Sequence, residues 1–245
     1  MVKKVLFMLT VLGLFSNAVL AQALAWGGGA DQNDLSFGFS FQYVMQEYKI
    51  VKKPDWQRPF YDTEAPFTQL TSPLTSISSK GKPGFSVGFI TRYRLTEHLE
   101  ARTTPSLVFA DRQLDYTFEN PNENASRAVS STMVDIPLLI KLKSDRVHDF
   151  RAYIVGGVKY SQALGGKGQS DANALPLEKK LKNIRGFASY EAGIGCDIYF
   201  EFFKLSPEIK LANSFGNVLV PENHPFASPI DKLFLRSLMF TLHFE

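Results

Sequence analysis

Alternation of apolar and polar residues is what most constrains this chain: roughly eight stretches carry it, joined by connections that are by turns very short and long. In the first stretch Leu35, Phe37, Phe39, Phe41, Tyr43 and Met45 share one face, and Ser36, Gly38, Ser40 and Gln42 the other. Period two without a slip means extended strand, because a helix would scatter those rings around its circumference. A second stretch, Phe85 to Arg94, sets Phe85, Val87, Phe89 and Tyr93 against Ser86, Gly88, Arg92 and Arg94. A third starts near Leu99 and carries Leu107 and Phe109. After Ala110 its apolar residues change parity (Leu114, Tyr116, Phe118), which predicts a bulge or bend.

Strand four sets Val134, Ile136, Leu138, Ile140 and Leu142 against Met133, Asp135, Pro137, Lys141 and Lys143. Strands five, six, seven and eight follow around Ile154, Ile194, Ile209 and Phe240 in the same pattern. Aromatic residues make up 13% of the chain and helical periodicity is nearly absent, so the expected class is all-β. Pro137 cannot donate to a ladder and marks an irregularity inside strand four.

Alternation alone does not say which face points inward. A soluble barrel puts apolar residues inside, around a ligand, whereas a membrane barrel turns them to lipid. The polar face decides. It is rich in Gly and Ser and carries both signs of charge: Arg92, Arg94, Arg102, Lys141, Arg151, Lys159 and Lys210 with Glu100, Asp135, Glu191, Asp197 and Glu208. Small residues fit a narrow lumen, and opposite charges there satisfy one another. The other face is too uniformly aliphatic and aromatic for water. The expected architecture is an eight-stranded antiparallel transmembrane β-barrel with outer-membrane lipid around it. Tyr93, Tyr116, Phe150 and Tyr160 are expected at the membrane interfaces. Eight strands leave room only for side chains, so the twelve charges read as a structural network, and passage of anything large is excluded by size.

The short connections, Leu95 to His98, Ser144 to His148 and Phe202 to Lys204, are expected on the periplasmic side with both termini. The long ones, about 47–83, 119–128, 164–184 and 213–232, are Pro-rich and face outward. Residues 1–21 read as a signal peptide: Lys3 and Lys4 precede a short apolar run, and Val19 and Ala21 frame cleavage between Ala21 and Gln22. Residues 22–245 then form one barrel domain. Formal charge is +3, or +1 without Lys3 and Lys4, which excludes a basic nucleic-acid surface. A single cysteine, Cys196, rules out an internal disulfide and a thiolate metal site.

Catalytic chemistry has few places to reside. His98, His148, His224 and His243 lack metal-ligand spacing to one another, and no residue set calls for a metal or a cofactor. An outer-membrane hydrolase or acyltransferase would need His224 as base, Glu222 or Asp231 to orient it, and Ser214 or Ser228 as nucleophile. The plainer reading of that segment is a solvated, Pro-rich loop. A surface adhesin or receptor would instead act through Trp56, Phe60, Tyr61 and Phe67 in the first long connection.

Met133-Val134-Asp135-Ile136-Pro137-Leu138-Leu139-Ile140-Lys141 is the most distinctive string. It resembles the Ile-Pro-Leu-Leu-Ile-Lys signature of the PorT family of small outer-membrane β-barrels. The likeness extends to Arg102-Thr103-Thr104-Pro105-Ser106-Leu107, Leu114-Asp115-Tyr116, Tyr153-Ile154-Val155-Gly156-Gly157, Gly193-Ile194-Gly195 and Leu205-Ser206-Pro207-Glu208. These run in order from strand three to strand seven. The resemblance implies a non-enzymatic part of the type IX secretion system, needed for export and maturation of cargo with C-terminal secretion domains, surface proteases included. It implies other secretion proteins as partners, and it brings no catalytic residues. One departure stands: Phe244, the aromatic expected to close such a barrel, is followed by Glu245.

Overall fold

A computed structural model describes residues 33–62, 67–164 and 175–245. The signal-peptide expectation, with Ala21 and Gln22, lies outside the described residues. Ten strand segments follow one another: β1 (Leu35–Lys52), β2 (Leu74–Lys80), β3 (Lys82–Arg94), β4 (Leu99–Thr103), β5 (Ser106–Phe118), β6 (Ala125–Lys143), β7 (Phe150–Leu164), β8 (Gly186–Tyr199), β9 (Lys204–Ser214) and β10 (Ile230–Phe244). They make eight staves, because β2 and β3 form one and β4 and β5 another. All neighbours are antiparallel, and β1 pairs with both β10 and β3, so the sheet closes on itself up to Gln46; above it β1 and β2 share no ladder, and Tyr48 N donates to the Ser79 hydroxyl instead.

Outward-facing positions build an apolar belt. Along β1 it runs from Leu35 to Met45, all exposed, and ends at Glu47 and Lys49. Ten residues of strand tilted as in small barrels span about 25 Å, the height of an outer-membrane hydrocarbon band. Tyr93, Phe150 and Tyr160 lie on this outer surface. Tyr116 does not: it is buried inside the barrel, and its hydroxyl donates to the Phe226 carbonyl at 2.7 Å.

Tyr116 belongs to a second inside-out rule. β5 stays in register with β6 from Ser106 to Tyr116, so no bulge follows Ala110. What changes there is the chemistry of the two faces. Above Ala110 the inward residues Leu114, Tyr116 and Phe118 are apolar, while Asp111, Gln113, Asp115 and Thr117 face out. The strands overshoot the bilayer on the long-loop side, and in water the apolar face must turn inward. The bulge is on the neighbouring stave. Lys80 pairs with Gln113 but Gly84 with Ala110, so one extra residue is accommodated around Gly81.

That overshoot shortens three of the four long connections expected from the sequence, the exception being the one between Leu164 and Gly186. β1 continues to Lys52 and β2 begins at Leu74, so the first loop is confined to 53–73 rather than 47–83. β6 starts at Ala125, and a single 3-10 turn (Pro121–Glu123) bridges it to β5. β10 starts at Ile230. Polar outward residues above the belt had the look of loop because their alternation is inverted.

Prolines interrupt the wall twice without shifting register. Arg102 pairs with Leu139 and Ser106 with Asp135, which sets Thr104 opposite Pro137 with no ladder pair between. The Thr103 hydroxyl reaches across to the Pro137 carbonyl at 2.7 Å. A second gap separates Gly195–Glu208 from Ile198–Leu205, where Cys196 faces Pro207. Missing N–H groups explain both. Around the second gap a groove of about 680 Å³ opens to the lipid side, lined by Phe150, Ile154, Ile194 and Phe240.

Candidate functional site: a filled lumen under an apolar cap

Inward-facing charges from seven staves meet in the periplasmic half of the lumen. Glu100 receives Arg92 (3.1 Å), Lys141 (3.8 Å) and Lys143. Glu245 takes Arg92 Nε at 2.5 Å and Lys204 Nζ at 3.1 Å. Lys141 Nζ donates to both oxygens of Asp197, at 2.8 and 2.7 Å, and Ser206 Oγ donates to the same carboxylate. One level higher, Glu208 accepts from Arg102 and from the Tyr153 hydroxyl (3.0 Å), and His243 Nε2 lies 3.6 Å away. Above that, Lys159 joins Asp135 (2.9 Å) to Glu191 (3.1 Å). Lys210 contacts both Glu191 (3.2 Å) and Glu208 (3.5 Å), so it links the two upper levels.

Pairing of this kind is what makes buried charge tolerable, since an isolated ion in such a place costs several kcal/mol. Of the twelve charges expected in the lumen, eleven are buried there. Arg94 is not: it sits at the rim and binds Asp34 at 2.8 Å. Arg151 is inside but bonds backbone, donating to the Ser144 and Glu97 carbonyls of two short turns. Lys143, Lys204, His243 and Glu245 join the set, with Arg112 higher up. Lys143 has the right parity in the sequence; Lys204 and Glu245 lie at strand ends, where alternation gives no reading. Inward glycines make room for the long side chains. A Cβ on Gly195 would fall 2.5 Å from the Tyr153 ring, and one on Gly157 would fall 2.1 Å from the Leu138 carbonyl.

Toward the outside the lumen turns apolar. Arg112, held by Gln46 (2.8 Å) and Met133 Sδ (2.9 Å), is the highest of these buried charges. Above it, Leu114, Tyr116, Phe118, Leu181, Val218, Leu219, Phe226, Ile230 and Leu233 pack into one core that covers the mouth. Asn217 Oδ1 pins this cap by accepting from Leu219 N (3.0 Å) and Leu233 N (2.8 Å).

The hydrolase residues are dispersed through the cap. His224 is buried, with Nδ1 accepting from Phe226 N at 3.3 Å and Nε2 3.6 Å from Glu222, which also binds Lys182 at 2.9 Å. Burial, reinforced by Lys179, Lys182 and Arg127 and opposed by Glu222, pushes its imidazole down to about 4. Ser214 Oγ accepts from Leu235 N and donates to the Gly216 carbonyl, and Ser228 Oγ bonds Asn223. Asp231 is exposed on β10. Among the described residues no serine hydroxyl bonds the His224 ring, and no His, Cys, Asp and Glu cluster suits a metal. At the end of β1 Lys52 lies over the ring of Trp56 from the first loop at 3.8 Å, and the Phe60 backbone is bonded to Thr71. Tyr61 and Phe67 are exposed.

A closed antiparallel ring with a lipid-facing belt and a charged, occluded lumen defines a small outer-membrane β-barrel. Residues 32–220 match the model of the outer membrane protein beta-barrel domain family, and the chain belongs to that family. Its place is the outer membrane. No curated protein matches the sequence. Among solved structures it is similar to the outer membrane protein OprG of Pseudomonas aeruginosa, at 12% identity and TM-score 0.44, covering 87% of this chain and 96% of that one. It is also similar to Ail, the attachment invasion locus protein of Yersinia pestis, at 12% identity and TM-score 0.37, covering 85% and 96%.

Proposed function

We propose that this barrel is a non-enzymatic accessory component of the type IX secretion machinery, of the PorT kind. In this role it serves export and maturation of cargo bearing C-terminal secretion domains, such as surface proteases. The observation that carries the reading is the occluded lumen: ion pairs fill its periplasmic half and an apolar core covers its mouth. Such a barrel conducts no folded cargo and is suited to support a larger conduit. The strings on which the PorT resemblance rests fit this role. Arg102–Leu107, Asp135–Lys141 and Leu205–Glu208 converge on the two proline gaps in the wall, which are features of shape and not of catalysis. The engaged hydroxyls of Ser214 and Ser228 support the non-enzymatic reading.

The test is removal of the gene in its host, with cargo followed by fractionation. Unprocessed cargo accumulating in the periplasm supports the proposal, and normal surface delivery rejects it. A second reading, a surface adhesin or receptor, draws on exposed Tyr61 and Phe67 in the first loop. Deleting residues 56–70 separates the two: lost surface binding with intact secretion favours the adhesin.

A further inference from the structure

The three short turns share a composition that barrel closure does not require. Each presents at least one exposed apolar side chain near an exposed acid: Leu95 with Glu97, Val147 with Asp145, and Phe202 with Glu201. Phe202 is the extreme case at 89% exposure. Its neighbours Phe200 and Phe203, 42% and 41% exposed, stack on each other, and Phe203 continues onto Phe244 of the belt. That stack is the aromatic girdle of the inner interface. Phe202 projects beyond it from the tip of the turn, where a tight hairpin favours Asn, Asp or Gly.

The surrounding charge is predominantly acidic. Among the described residues the solvent-accessible side chains of the short-turn end include Asp34, Glu97, Asp145, Asp149 and Glu201 against Arg94 and Arg146, with Arg151 buried beneath the turns. Both arginines are committed, Arg94 to Asp34 and Arg146 to Asp149. Among the described residues, no cation pairs with Glu97 or Glu201, and Asp145 has only His98, at 3.8 Å. An exposed apolar tip on a predominantly acidic turn surface repels anionic lipid headgroups and attracts a basic protein surface.

We propose that the three short turns form one docking surface for a periplasmic protein that offers an apolar pocket bordered by lysine and arginine. Phe202 enters the pocket, and Glu97, Asp145 and Glu201 meet its basic rim. The idea rests on the accessory role proposed above and names the kind of partner it needs. A photocrosslinking benzophenone amino acid at position 202 of the full-length protein, irradiated in intact cells, reads the contact directly. The expected result is one dominant protein adduct whose cross-linked residue maps to an apolar pocket flanked by lysine or arginine. Combining Glu97→Lys, Asp145→Lys and Glu201→Lys should lower its yield about tenfold. Retained heat-modifiable migration shows that each variant is folded. Adducts to lipid only, no adduct, or a yield unmoved by charge reversal overturns the proposal. Should gene removal impair secretion while these results come out negative, the docking surface fails alone. Should secretion be normal and the adduct form as expected, the secretion role fails and the docking surface stands.

Discussion

Glu100 is the side chain on which most of the lower lumen depends. It faces Arg92, Lys141 and Lys143, so Glu100→Ala leaves three buried cations short of an anion. Removing one member of such a set costs about 3–5 kcal/mol. The temperature at which the compact band converts to the unfolded one in detergent should fall accordingly, and an unchanged midpoint would show that the network is slack. His224 is the corresponding residue of the cap. Its folded-state value of about 4 lies below the 6.5 of an exposed imidazole, so opening the cap takes up a proton between those limits. The closed cap is therefore most stable above pH 6.5 and loses on the order of 2 kcal/mol as pH falls toward 4. Amide exchange across 215–229, corrected for its intrinsic rate, should accelerate between pH 7 and pH 5. His224→Gln should abolish that acceleration.

At the scale of elements, glycine parity separates two adjacent residues on β7. Gly157 faces the lumen side of the wall, and a Cβ there meets the Leu138 carbonyl at 2.1 Å; the nearest atom to a Cβ on Gly156 is the Glu191 carbonyl at 3.6 Å. Gly157→Ala should destabilise the barrel by about 1–3 kcal/mol, and Gly156→Ala should be nearly neutral. Equal thermal midpoints for the two variants would contradict the packing at β6–β7. The lower strands were legible in the sequence because nearly every Phe, Ile and Leu in them faces outward, the inward Ile90 and Leu139 being exceptions. The same alternation misreads the upper strands. At Leu114, Tyr116 and Phe118 the solvent outside changes from lipid to water, and an unchanged strand then looks bent. The lumen set was legible from parity in mid-strand residues such as Lys141 and Asp197. It was not legible for Arg94, one step beyond the wall, or for Glu245, whose partners come from β3 and β9.

For the whole molecule, two seals lie in series, an ionic one below and an apolar one above. In a planar bilayer the purified protein should show no sustained conductance steps, and stable openings would contradict the packing of the lumen. The belt, seen from the side, is continuous except at the two proline gaps. Within the belt the ladders are thus continuous nearly everywhere, and the gaps fall where the most distinctive sequence strings lie.

The strand overshoot also gives insertion a direction. β5 carries two opposite instructions end to end: below Ala110 its apolar side chains must find lipid, and above it they must avoid water by packing on one another. In the inserted barrel Leu114, Tyr116 and Phe118 meet Phe226, Ile230 and Leu233 in the water beyond the belt. Apolar burial in the cap thus holds the strands on the far side. A hairpin that slips back must first dissolve that core, so the cap works as the pawl of a ratchet.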